Sequence, residues 1–214
     1  MSSNRPSRRE VFEKCIVRGL LVASVPMSQS KLLAWWQDGH RAATKPTPAE
    51  VLGPFYKKQS PNTPNLRVPG DAGFPLHVSG KVQNTRGDMV EGARVEVWHA
   101  DHHGAYDVKG YRYRAALAPD AKGVYACDTV MPGHYSDRPA QHIHYLITAP
   151  GHKTLVTQLY FATDPFFDGD PDKNFAKNGI VHNRELVRPV KLFEGQGSDA
   201  PHADVTLDIV LEKA

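Results

Sequence analysis

The stretch "ADVTLDIVLEK", residues 203–213, alternates strictly: Val205, Leu207, Ile209 and Leu211 fall on one side, Thr206 and Asp208 on the other. A period of two is the period of a β-strand, whereas a helix would scatter the same residues around its circumference. Five more short runs follow this habit: "FPLHVSGKV" (74–82), "ARVEVWHA" (93–100), "GVYACDTV" (123–130), "QHIHYLITA" (141–149) and "KTLVTQLYFA" (153–162). Gly, Pro, Asn and Asp separate them, with "NTRGD" (84–88) reading as a turn. The 17 glycines and 17 prolines therefore point to many turns between short strands. The expected fold is all-β, an antiparallel β-sandwich with long loops. A chain of 214 residues can bury one such core. We read residues 1–45 as a targeting-like segment with a linker, and 46–214 as the sandwich domain. "PFFDGDPDKNFAKNGIVHN" (165–183) reads as a surface loop with one helical turn.

The formal charge of +3 is located almost wholly at the N-terminus, where Arg5, Arg8, Arg9, Lys14 and Arg18 outnumber Glu10 and Glu13. The remainder is neutral, so no cationic face for nucleic acid is expected. The two cysteines, Cys15 and Cys127, exclude a disulfide framework, and Cys127 in its alternating run is expected to be a buried thiol. "SRREVFEK" (7–14) ahead of the weakly apolar "CIVRGLLVASVPM" resembles a twin-arginine export signal, although Arg18 and Pro26 interrupt the apolar stretch. The expectation is a periplasmic or exported protein, the alternative being a cytoplasmic one with an amphipathic N-terminal helix. No stable membrane span is expected, since the apolar run falls well short of the ~20 residues a spanning helix needs.

The chemistry concentrates in "RPAQHIHY". On a strand His142 and His144 project together while Ile143 and Tyr145 face the other way. Two imidazoles on one face can bind one metal or can be structural. Two tyrosines sit at strand ends nearby: Tyr106 in "HADHHGAYD" and Tyr135 in "MPGHYSDRP". Each alone could be a packed aromatic; together with the histidines they suggest a two-Tyr, two-His site. Tyrosinate is a hard anionic donor, and two of them favour a trivalent ion, so the implied metal is ferric iron. A zinc hydrolase using the histidine pair and a carboxylate such as Asp101 or Asp137 stays open, as does a non-catalytic sandwich that binds a ligand. His99, His102, His103 and His134 flank the candidate ligands and could line the cavity or be packed or solvated.

"LGPFY" (52–56), residues 78–106, "PGHY" (132–135), "RPAQHIHY" (138–145) and "LVTQLYF" (155–161) together resemble the intradiol ring-cleavage dioxygenases, the catechol 1,2- and protocatechuate 3,4-dioxygenase family, over residues 46–212. The resemblance implies a non-haem Fe(III) held by Tyr106, Tyr135, His142 and His144, with Tyr135 the ligand that leaves when substrate binds. It implies that Arg138 and Gln158 steady the substrate, against the simpler readings of a surface salt bridge and a polar strand residue. Gly53 and Pro54 match a segment leading to the site, where Tyr56 would touch substrate or merely pack. The implied partners are a catechol-type diol and O2, and the implied product is a cis,cis-muconate. The family pattern is Arg-Pro-x-His-x-His, so Gln141 is an insertion that places Arg138 one residue further from His142. The short span from Tyr135 to His142 suggests an open site, and the short N-terminal region a compact form nearer the protocatechuate type. An exposed edge strand could support a homo-oligomer.

Overall fold

A computed structural model describes residues 44–135, 138–195 and 200–214. The export-signal reading, Cys15 and Asp137 lie outside the described residues. Among the described residues ten strands form two five-stranded sheets. In the first, β1 (Pro75–Asn84) pairs along one side with β4 (Val124–Val130), antiparallel, and along the other with β9 (His202–Thr206), parallel. β10 (Ile209–Leu211) also runs parallel to β1, and β8 (Val190–Phe193) pairs with β9 at the edge. The second sheet has the order β3 (Arg114–Leu117), β2 (Arg94–Trp98), β5 (His142–Thr148), β6 (Leu155–Phe161) and β7 (Val187–Arg188).

The sandwich is confirmed, with a correction to its pairing. Both sheets are mixed, because β1 has parallel partners in β9 and β10 and β6 has one in β7. A parallel neighbour requires the chain to cross back from the far end of the strand. For β6 and β7 the excursion 162–186 makes that crossing, with short helical turns at Pro165–Phe167, Pro171–Asn174 and Lys177–Gly179.

The alternating run 203–213 is divided into β9 and β10, although both keep one register on β1: Leu76 faces Ala203 and Val82 faces Ile209. At the break the Asp208 carboxylate accepts the Lys81 N–H at 2.9 Å, and the Leu207 carbonyl accepts the buried Tyr125 hydroxyl at 2.6 Å. Gly80 is required there, since a Cβ would coincide with the Leu207 carbonyl oxygen. One core joins the sheets, with Val78, Val82 and Val205 from the first meeting Val97, Ile143 and Ile147 from the second. Tyr125 and Tyr145 touch edge to face across it, ring centroids 6.2 Å apart. Cys127 is buried there as expected, and burial pushes its thiol up to about 12. Tyr125→Phe would strand the Leu207 carbonyl in that core; we expect a loss of about 1–3 kcal/mol in urea unfolding with an unchanged m-value.

Candidate metal centre

Ile143, Tyr145 and Ile147 of β5 face the core, so His142 and His144 occupy the outer face of the second sheet. The ladder adds neighbours to that face: Trp98 lies opposite His144, Gln158 opposite His144 on the other flank, and Tyr160 opposite His142. An outer face would normally be wet, yet His142 and His144 are 3 % and 2 % exposed. The segment preceding β1 covers them. Glu50 N–H donates to the Val156 carbonyl at 2.9 Å, Thr157 Oγ1 donates to Pro48 at 2.7 Å, and Gln158 Nε2 donates to Val51 at 2.7 Å. Gly53 then crosses His144 in a left-handed conformation, φ 73°, so close that a Cβ would lie 2.9 Å from Cε1.

The tyrosines arrive on two loops that meet through glycine. A Cβ at Gly104 would run into the His134 carbonyl, and one at Gly133 into that of His102, so this approach needs both residues bare. Gly133 N–H also donates to Asp101 at 2.8 Å. Tyr106 and Tyr135 consequently lie edge to face, centroids 5.7 Å apart. Their hydroxyl oxygens are 3.5 and 3.3 Å from His142 Nε2, which lies 3.2 Å from His144 Nε2. All four proposed ligands are thus brought to one point. His142 Nδ1–H donates to the Ala140 carbonyl at 2.7 Å, which leaves Nε2 with its lone pair facing the other donors.

Burial sets the charge states of these groups. It pushes His142 down to about 4 and His144 well below the ordinary range, the neighbouring His142 adding to the effect on His144. It drives the Tyr106 phenol upward, and Tyr135 beside it contributes in the same direction. Two neutral imidazoles suit metal ligation as they stand, whereas the Tyr106 phenol ionises only beside a strong positive charge. The donor set therefore fits a small, highly charged cation.

Arg138 reaches the same face despite the inserted residue. Its Nη2 donates to Gln158 Oε1 and to Tyr160 Oη, both at 2.8 Å, and its Nε is buried without a hydrogen-bond partner. Pro54 is exposed in the covering segment. Tyr56 stands one ring away from the donors, 5.1 Å from Trp98 with its hydroxyl on Glu96, which places it among packed aromatics. Sequence reasoning passed over several residues that the site uses. Trp98 stacks on His144 at 5.0 Å with planes 3° apart, and Phe55 stacks on Tyr106 at 4.2 Å. Arg114, 3 % exposed, binds the carbonyls of Phe55 at 2.6 Å and Asp107 at 3.3 Å. Strand period alone could have found Tyr160, two residues beyond Gln158; nothing local to Arg114 signals its reach.

The flanking histidines add no donor to this cluster. His99 is buried, donates Nδ1–H to Ala100 and accepts from the Thr129 hydroxyl at 2.6 Å. His102 and His103 lie ring against ring, and His134 pairs with Asp164. Asp101 is occupied as a turn acceptor for the N–H groups of His103 and Ala105. Among the described residues no group of three or more His, Cys, Asp or Glu side chains could hold a metal, so the zinc arrangement with Asp101 is not formed.

Two histidines and two tyrosines thus converge on the covered outer face of a mixed β-sandwich. A family model described as Dioxygenase matches residues 51–213. Hydroxyquinol 1,2-dioxygenase of Nocardioides simplex is 30 % identical over 218 residues, covering 91 % of this chain and 73 % of that protein. Catechol 1,2-dioxygenase of Pseudomonas sp. strain EST1001 is 31 % identical over 156 residues, covering 60 % of this chain and 51 % of that protein, so the chain spans only about half the length of that relative. Among solved structures, Acinetobacter radioresistens catechol 1,2-dioxygenase superposes with TM-score 0.69 at 26 % identity, covering 86 % of this chain and 68 % of that one. The dioxygenase domain of a carbohydrate-binding fusion from Streptomyces sp. SirexAA-E gives 0.66 at 31 %, covering 79 % and 100 %. The chain belongs to the intradiol ring-cleavage dioxygenase family.

His99 also sets an acid limit on stability. Burial pushes it down to about 4, so the unfolded chain takes up the proton first as pH falls below about 6.5. Its contribution is complete above that value and is lost as pH falls toward 4. Urea midpoints of metal-free protein should fall between pH 7 and pH 5, and fall less in His99→Gln.

Proposed function

We propose that the chain is a non-haem Fe(III) intradiol dioxygenase, which opens a catechol-type ring between its two hydroxylated carbons with O2 to give a cis,cis-muconate-type product. The observation that carries this is the meeting of Tyr106, Tyr135 and His144 within 3.5 Å of His142 Nε2. The names of the hydroxyquinol and catechol relatives support the substrate class. A ferric ion held by those four side chains would supply Lewis acidity, keeping their phenols and a bound diol ionised and activating the ring toward O2.

The chain's own groups divide the remaining work. Tyr135 would be the iron-holding side chain that makes room for the diol, its Oη able to take up a phenolic proton. Arg138, held by Gln158 and Tyr160 and with its Nε buried and unpartnered, brings a positive charge to offset negative charge on the substrate. Gly53 leaves room beside His144 and Phe55 closes over Tyr106, which together exclude water. A binding module would give no reason for two buried imidazoles and two half-buried phenols to share one point.

The test is product analysis with iron quantified on the same sample. Ferric-loaded protein given catechol or hydroxyquinol should consume O2 and form the ring-opened diacid, while Tyr106→Phe and His142→Ala should lose iron and at least about 100-fold of the rate. Full activity in either variant contradicts the assignment. For location we propose twin-arginine export, on the strength of Arg8 and Arg9 ahead of an apolar stretch. Among the described residues no helix is long and apolar enough to cross a membrane. Finding the chain only in the cytoplasmic fraction contradicts the export proposal.

A further inference from the structure

Asp164, just beyond β6, is a carboxylate with a fully buried side chain that takes no part in the chemistry above. A buried carboxylate costs several kcal/mol unless donors compensate it, and three do so here. Oδ2 accepts the Gln141 N–H at 2.6 Å; Oδ1 accepts the Phe166 N–H at 2.9 Å and faces His134 Nε2 at 2.8 Å. Two of those three donors belong to the residues directly preceding candidate ligands: His134 precedes Tyr135, and Gln141 precedes His142. Gln141 also binds the turn directly, its Nε2 donating to the Pro132 carbonyl at 2.8 Å. One carboxylate thus joins the turn that carries Tyr135 to the start of the strand that carries His142.

Gln141 is also the residue inserted between Arg138 and His142. Strand β5 begins only at His142, so the Gln141 N–H lies outside the β5 span and finds its acceptor in Asp164. Turned aside in this way, the extra residue leaves His142 and His144 in register with Tyr160 and Gln158, and Arg138 still meets both of those side chains.

We propose that Asp164 is the positioning residue of the metal centre. Through His134 and Gln141 it fixes the spacing of Tyr135 and His142, and Gln141 is the adaptation that lets the longer segment keep Arg138 on Gln158. This rests on the reading of the four side chains as iron ligands. It predicts effects on the metal's spectrum beyond any effect on folding, because the side chain governs where a ligand oxygen and a ligand nitrogen stand.

The experiment compares ferric-loaded wild type, Asp164→Asn and His134→Ala by visible spectrum, by iron retention against a chelator, and by thermal melting of the metal-free protein. Asparagine keeps the shape but removes the charge and turns an amide N–H toward donors. We expect Asp164→Asn to hold iron about 10- to 100-fold more weakly, with its tyrosinate band displaced. His134→Ala removes one of the three donors at a ring that is 45 % exposed, where water can take its place, so it should melt only slightly below wild type while displacing the band in the same direction. Wild-type band and iron retention in both variants overturn the proposal, whatever the melting temperatures. Should Asp164→Asn fail to fold, His134→Ala decides alone: a displaced band supports the proposal and a wild-type band overturns it. A wild-type chain that shows no tyrosinate band after ferric loading overturns the ligand reading and this proposal together, whereas a coloured wild type with unchanged variants overturns only the role of Asp164.

Discussion

Three side chains, Tyr106, Tyr135 and His144, meet around one nitrogen, His142 Nε2, with both histidines buried and both tyrosines half-buried. Burial favours the neutral form of both imidazoles and of the Tyr106 phenol, whose ionisation the neighbouring Tyr135 also opposes. A multivalent cation would reconcile the set, since it would reward both phenolates and occupy the imidazole lone pairs. The rest of the fold keeps this arrangement dry and close. The covering segment fastens to β6 at Val156, Thr157 and Gln158, and Arg114 grips the carbonyls of Phe55 and Asp107 so that the Phe55 ring lies on Tyr106.

This placement differs from the simplest picture of a sandwich, in which the important residues lie between the sheets. The inner face of β5 belongs to the core through Ile143, Tyr145 and Ile147, and rigidity there holds the histidines on the opposite face. Loops then supply what a strand cannot: two oxygens from Tyr106 and Tyr135, brought together because Gly104 and Gly133 permit backbone contact. A rigid sheet carrying two nitrogens and a looped pair of oxygens suits a site in which one tyrosine must stay while the other departs.

Period-two alternation made most strands and the paired direction of His142 and His144 legible in the sequence, because both depend only on neighbours along the chain. The parallel placement of β9 and β10 beside β1 was not legible, since pairing direction depends on the whole path of the chain. Nor was the interruption at Leu207 and Asp208, which exists because Tyr125, some eighty positions earlier, claims the Leu207 carbonyl. In the site, Arg138 and Gln158 looked ordinary by spacing; their meeting depends on how Asp164 draws the inserted Gln141 aside. Trp98, Phe55 and Arg114 were missed for a similar reason: each acts through a contact made across elements, and none carries a motif of its own.

The most direct test of the central claim is an anaerobic titration of the ferric-loaded protein with catechol, followed by visible absorption. Ligation by Tyr106 and Tyr135 predicts a red-brown charge-transfer band before addition, and a shift of that band to longer wavelength as the diol binds and Tyr135 gives way. A protein that stays colourless after ferric loading, or a band that catechol leaves unchanged, would contradict it.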